Sequence, residues 1–206
     1  MWTQKHGLVA SFVRVALPAV LLLRAFGGLP ANAAPKLVTD PLQFESEPDW
    51  HVTQGQVQSL TITNVHTQGQ GALAVTAPQG YTRIDSKAIS STNPELETLE
   101  VGSQVSLDFQ IPVAQVNPFW FGAVEMVISA PSRNVYSAYL GEVELTGLPT
   151  GVFTTLQFAV PAAVATALEG ATYSDLTVGI VINVPNGTTG VYIIDNFRLT
   201  EAKLPK

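Results

Sequence analysis

The fold is decided by LTVGIVINV, Leu176 to Val184, followed by a turn at Asn186-Gly187 and then VYIIDNFRLT, Val191 to Thr200. In the first run Leu176, Val178, Ile180, Ile182 and Val184 alternate with other residues, the period of a strand with one buried face. The second run has Val191 and Ile193 before Asp195, and Phe197 and Leu199 after it. Asp195 thus falls where the alternation expects an apolar side chain. A buried carboxylate without a partner is costly, so it is paired or bound to a metal. The residues leave three solutions open: a cation, backbone amides, or an ion pair with Arg83 or Arg198.

Composition bounds the class. The chain has 206 residues, no cysteine and few charges. Its N-terminus has a weakly basic start (Lys5, Arg14), an apolar run from Val15 to Leu23 and a small-residue exit at Ala31-Asn32-Ala33. This reads as a secretory signal peptide over residues 1–33, and so as a secreted protein, with a periplasmic or cell-surface location as the variants. Nine apolar residues of helix reach only about 14 Å, against a hydrocarbon core of roughly 30 Å, so no stable membrane insertion is expected once the leader is cut. Export without disulfides suits a bacterial protein.

The leader holds three of the ten basic residues and no acid, which leaves seven against sixteen acids, about −9. Such a surface repels phosphate backbones, and nucleic acid is excluded as a partner. No oligomerisation signal is visible, and a monomer is expected.

Strand patterns follow one another along residues 34–200: Leu37–Phe44, Gln58–Val65, Ala72–Thr76, Tyr81–Ile89, Gln104–Ile111, Phe119–Ala130, Tyr136–Leu145, Val152–Val160 and the two quoted runs. Turn chemistry at Pro78-Gln79-Gly80, Gly147-Leu148-Pro149 and Asn186-Gly187 separates them. The last of these also forms a glycosylation sequon with Thr188, for which a hairpin turn is the preferred reading. Only Pro161–Glu169 reads as helix, with proline at its start and Gly170 beyond its end. Many strands, one short helix and no βαβ rhythm predict an all-β, two-sheet antiparallel sandwich, with a frayed tail over 201–206.

Alternation also divides the faces. Val105, Leu107, Phe109, Val124, Met126, Ile128, Val143, Leu145, Val152, Leu156 and Phe158 are expected inward. Phe121, Glu125, Tyr136, Leu140 and Gln157 are among those left outward, in a set that combines aromatics with carboxylates and amides. Surfaces of this kind bind sugars, with rings against C–H faces and polar groups on hydroxyls. Trp120 shares the parity of Val124 and is expected in the core; Trp50 either plugs the sandwich or caps a loop.

Three segments carry a resemblance. Phe44-Glu45 is followed by Trp50; Val65-His66-Thr67-Gln68-Gly69-Gln70-Gly71-Ala72-Leu73 is similar to a His-Ser-Gly-x-x-Ala-Leu turn with one extra residue; Tyr192-Ile193-Ile194-Asp195-Asn196-Phe197 is similar to a closing strand. Together they resemble the secreted jelly-roll carbohydrate-binding modules of the galactose-binding-like type, typified by the xylan- and glucan-binding modules of bacterial glycosidases. The resemblance implies a structural Ca2+ ion held by Glu45, Asp195 and the backbone at Thr67 and Gln70, in keeping with the oxygen ligands calcium takes. It also implies a glycan groove on one sheet, for which outward position nominates Tyr81, Arg83, Asp108, Phe121, Glu125, Tyr136 and Gln157.

The expected function is therefore non-catalytic binding of a polysaccharide or oligosaccharide. The alternatives are a structural or adhesive surface protein on the same fold and, less favoured, a glycan-cleaving enzyme using Glu125 with Glu142 or Glu144. No cysteine nucleophile, Gly-x-Ser-x-Gly elbow or zinc spacing of His51 and His66 supports catalysis.

Overall fold

The computed structural model describes residues 41–46, 49–96 and 99–200; the expected signal peptide, the tail and residues 37–40 of the first expected strand lie outside them. Among the described residues ten strands form two five-stranded antiparallel sheets. In chain order they are β1 (Trp50–Gln56), β2 (Ser59–Thr63), β3 (Ala72–Thr76), β4 (Gln79–Ser86), β5 (Gln104–Gln110), β6 (Ala123–Ala130), β7 (Val135–Glu144), β8 (Phe153–Ala159), β9 (Thr177–Val184) and β10 (Val191–Thr200). The front sheet runs β1-β4-β9-β6-β7 and the back sheet β2-β3-β10-β5-β8. The all-β sandwich is as the alternation predicts.

The core lies between the sheets. Ile84, Val124, Met126, Ile128, Val178, Ile180 and Ile182 of the front sheet meet Leu73, Val75, Leu107, Phe109, Leu156, Phe158, Tyr192 and Ile194 of the back sheet. Trp50 plugs one end, 3% exposed and stacked on Phe44 at a centroid distance of 5.0 Å. Helix α1, Ala162–Leu168, begins after Pro161 and buries Val164, Ala165 and Leu168 on one stripe, as i, i+1, i+4 spacing requires.

Several expectations are corrected. Residues 41–43 form a 3-10 turn rather than a strand. The turn at Asn186-Gly187 is not a hairpin, because β9 and β10 lie in different sheets; it carries the chain across the sandwich and is held by Gln79, whose Oε1 accepts the Gly187 N–H at 2.7 Å. Val152 is exposed, while Leu140 is buried by a register shift in β7 between Tyr139 and Gly141. Trp120 is half-buried and outside the core cluster.

The largest correction concerns Asp195. Asn196 adopts φ 55, a left-handed conformation that asparagine tolerates better than most residues, and the β10–β5 register shifts between Asp195 and Arg198. This bulge resets the parity. Tyr192, Ile194 and Phe197 belong to the core cluster, whereas Asp195 lies opposite Asp108 on the outer face of the back sheet. Asp195 is nonetheless fully buried, because the turn at Thr67 and Gln68 closes over it.

Candidate functional site

Cross-strand register fixes which residues share the outer face of the front sheet, since partners in an antiparallel ladder project to the same side. One row is Tyr81, Asn183, Ala123 and Glu144. The next is Gln54, Arg83, Val181, Glu125 and Glu142, and the third is His51, Asp85, Gly179, Val127 and Tyr139. Tyr81 and Tyr139 are 40% and 53% exposed and stand at opposite corners of this array.

A polar chain crosses its floor. Thr53 Oγ1 donates to Asp85 Oδ2 at 2.7 Å, and Arg83 Nε donates to Asp85 Oδ1 at 2.8 Å. Arg83 Nη1 donates to Ser137 Oγ at 3.2 Å, and the Ser137 N–H donates to Ser129 Oγ at 2.9 Å. Four strands, β1, β4, β7 and β6, are so linked.

Glu125 and Glu142 are direct cross-strand partners, a placement of like charges that is destabilising. Burial first, and then the Glu142 carboxylate, raise the Glu125 carboxyl above its ordinary value. Burial likewise raises the Tyr81 phenol, reinforced by Glu125 and opposed by Arg83. The Tyr139 phenol is raised by desolvation and then by Glu142 and Glu125. The face is acidic, and its one guanidinium is neutralised by Asp85.

Of the residues nominated for the ligand, the structure brings Tyr81, Arg83 and Glu125 together. Asp108 and Gln157 lie on the back sheet, opposite Thr155 and Ser106 respectively. Phe121 packs against the core just before β6 and gives its N–H to Thr146 Oγ1 at 3.1 Å. Tyr136 turns toward α1, lining a shallow hollow with Ala163, Val164 and Ala167. The seven do not form one groove. Asn183, Gly179 and Asp85 were not singled out, although the alternation of β9 and β4 leaves them on the outward side. Tyr139 had no such signal, because the bulge at Leu140 shifts its parity.

The residues nominated for calcium gather on the other sheet. Asp195 Oδ2 accepts the N–H groups of Thr67 and Gln68 and, at 2.9 Å, the Thr67 hydroxyl, while its Oδ1 accepts the Asn196 N–H at 2.7 Å. Glu45 Oε1 accepts the Gln70 N–H at 2.8 Å. Both acids therefore meet one turn, and Glu45 sits where a side chain at Gly69 would stand. Asp195 is solved here by amides and a hydroxyl, and Arg198 pairs with Asp108 instead, at 3.2 Å.

Burial would raise the Asp108 carboxyl, but bonds from Thr155, Asn196 and Thr67, with the Arg198 charge, hold it below its ordinary value. The donor set fits calcium in type: two carboxylates at one turn, and Asn196 Oδ1 buried without a hydrogen-bond partner among the described residues. The backbone contacts of Thr67 and Gln70 with the acids are through N–H groups rather than carbonyls. Among the described residues no three acidic, histidine or cysteine side chains surround one point, so a cation here would draw on amide and backbone oxygens.

No protein-family model matches the sequence, and no curated protein matches it. Solved structures do share its fold. A carbohydrate-binding module of family 28, specific for non-crystalline cellulose, superposes with a TM-score of 0.53 at 19% identity, over 79% of this chain and 94% of its own. A structure concerned with promiscuous specificity in carbohydrate-binding modules of the β-sandwich superfamily gives 0.51 at 14% identity, over 78% and 61%. The first family 27 module of Caldicellulosiruptor saccharolyticus, in complex with mannohexaose, gives 0.50 at 12% identity, over 80% and 97%. At these identities the likeness is one of fold: the chain has the β-sandwich of carbohydrate-binding modules.

Proposed function

We propose that the protein is a secreted, monomeric, non-catalytic carbohydrate-binding module that takes a polysaccharide or oligosaccharide across its front sheet. The observation that carries this reading is the pairing of Tyr81 and Tyr139 at opposite corners of a face floored by the Thr53–Asp85–Arg83–Ser137 chain. Three strand spacings and two rows separate the rings, about 14 Å across and about 13 Å along. The span suits several sugar residues rather than one. Rings take the apolar faces of sugars, while Arg83, Asp85, Asn183 and Gln54 are of the type that bonds hydroxyls. The fold neighbours, whose ligands include cellulose and mannohexaose, add weight to this class of ligand.

A structural Ca2+ ion belongs to the same proposal. Glu45, Asp195 and Asn196 Oδ1 would hold it, with oxygens of the turn from Thr67 to Gly71. When bound it would tie the segment before β1 to β10 and rigidify the back sheet; it takes no part in ligand chemistry.

Affinity electrophoresis of the protein through gels containing hydroxyethyl cellulose, galactomannan, xylan or mixed-linkage β-glucan tests the reading. Retardation by one polymer class, without release of shorter products, is expected. Unretarded migration through every gel would sink it, and polymer cleavage lost in Glu125→Gln would replace it with an enzyme.

A further inference from the structure

The middle of the front sheet is held by a glycine. Gly179 lies on β9 in register between Asp85 of β4 and Val127 of β6, an interior strand position where glycine weakens the sheet. Its φ is not left-handed, so the backbone does not demand glycine. Space does. A Cβ at this position would collide with Asp85 Oδ1, and would stand 2.6 Å from Val127 Cγ2 and 3.0 Å from Arg83 Nε. The guanidinium therefore occupies a hollow that only glycine leaves, tied to Asp85 at 2.8 Å and Ser137 at 3.2 Å, with 19% of the Arg83 side chain exposed.

We propose that Gly179 is a positioning residue for ligand binding: its hollow lays Arg83 flat, so that a glycan crosses the sheet over the guanidinium between Tyr81 and Tyr139. The inference rests on the front sheet being the binding face. Two of the five N–H donors of Arg83 are engaged by Asp85 and Ser137, which leaves others for sugar hydroxyls. Because the side chain is already fixed, little rotamer freedom remains to be lost on binding. Its charge is balanced by Asp85, so the surface suits uncharged hydroxyl pairs rather than uronates. A side chain at position 179 would lift the guanidinium from the sheet and place an obstacle in the path of the polymer.

Isothermal titration calorimetry with cellohexaose, mannohexaose and xylohexaose tests this on wild type, Gly179→Ala, Arg83→Ala, Ser137→Ala and the Gly179→Ala/Arg83→Ala double variant, each checked by thermal melting. Gly179→Ala and Arg83→Ala are each expected to weaken the bound hexasaccharide by about tenfold. The double variant is expected to bind no more weakly than Arg83→Ala alone, since the glycine acts through the arginine. Ser137→Ala, an exposed change that removes the far tether, is expected to weaken binding by about threefold, and it decides the matter if Gly179→Ala does not fold. Unchanged affinity in a folded Gly179→Ala, losses that multiply in the double variant, or wild-type affinity in Ser137→Ala where Gly179→Ala fails to fold would overturn the proposal while leaving the binding face standing. Absence of wild-type binding to any hexasaccharide or gel polymer removes the binding face itself, and the proposal with it.

Discussion

Asp108 and Asp195 stand directly opposite each other on β5 and β10, with the Thr67 hydroxyl 2.8 Å from one carboxylate and 2.9 Å from the other. One hydroxyl proton serves only one of them, and each acid is completed differently: Asp108 by Thr155, Asn196 and Arg198, Asp195 by amides of the turn and of Asn196. The turn is thereby latched to the back sheet. Asp195→Ala removes the latch and frees buried donors, and a loss of about 2–4 kcal/mol is expected in urea unfolding. Thr67→Val keeps the shape and removes only the shared hydroxyl, so about 1–2 kcal/mol is expected. Equal stability of Asp195→Ala and wild type would show that the turn contributes nothing.

Much of the sandwich was legible because β5, β6 and β9 alternate without interruption, and their inward residues are those of the core. The failures have local causes. β1, Trp50–Gln56, is an edge strand with mostly exposed positions and offers no apolar period to read. Two bulges reset parity: the one at Asn196 returns Phe197 to the core with Tyr192 and Ile194 while Asp195 stays on the outer face, and the shift at Leu140 brings Tyr139 to the outer face of the front sheet while burying its neighbour. Alternation assigns a face only until the next bulge, so the nominated site mixed residues of both sheets. Register between strands distant in sequence, which decides that Arg83 and Glu125 flank Val181 in one row, is set by tertiary packing and has no local signature.

The Glu125–Glu142 pair predicts a pH-dependent cost. With its folded carboxyl raised by burial and by Glu142, Glu125 holds its proton more tightly in the folded protein than in the unfolded chain. Stability therefore falls as pH rises from the ordinary glutamate value through the raised one, and the cost is complete above that window. Tyr81, Glu142 and Tyr139 lie within electrostatic reach of the group, and Arg83, separated from it in the same row by Val181, is already paired with Asp85. Glu125→Gln is expected to raise Tm at pH 7 by about 1–3 °C, from a screened cross-strand repulsion of about 0.2–1 kcal/mol. The gain should vanish well below the ordinary glutamate pKa. A gain that is the same at both pH values would mean that repulsion is not its source.

Calcium dependence separates the two ways in which Glu45 can serve the turn. Glu45→Gln retains an oxygen for the Gln70 N–H but lacks the charge a cation needs. If calcium binds as proposed, the wild type gains several degrees of Tm in millimolar calcium over chelator, because binding to the folded state alone stabilises it. Glu45→Gln should lose that gain while matching the chelated wild type. Identical wild-type melts in calcium and chelator would reduce both acids to hydrogen-bond acceptors for the turn.

The aromatic corners give the most direct reading of ligand direction. Tyr81 and Tyr139 are half-exposed on the front face, and neither belongs to the core cluster, so replacing either by alanine should shift Tm little. If a glycan lies diagonally from one ring to the other, each replacement removes one end of the contact and weakens a hexasaccharide by about tenfold. A trisaccharide reaches only one corner. Its affinity should then fall with one replacement and not the other, and calorimetry with both ligand lengths identifies the corner that it occupies. Equal losses for the trisaccharide in both variants would place the two rings on one short subsite and contradict the diagonal path. The back sheet supplies the control: Gln157→Ala changes an exposed residue of β8 on the opposite sheet and should leave both ligands bound as in the wild type.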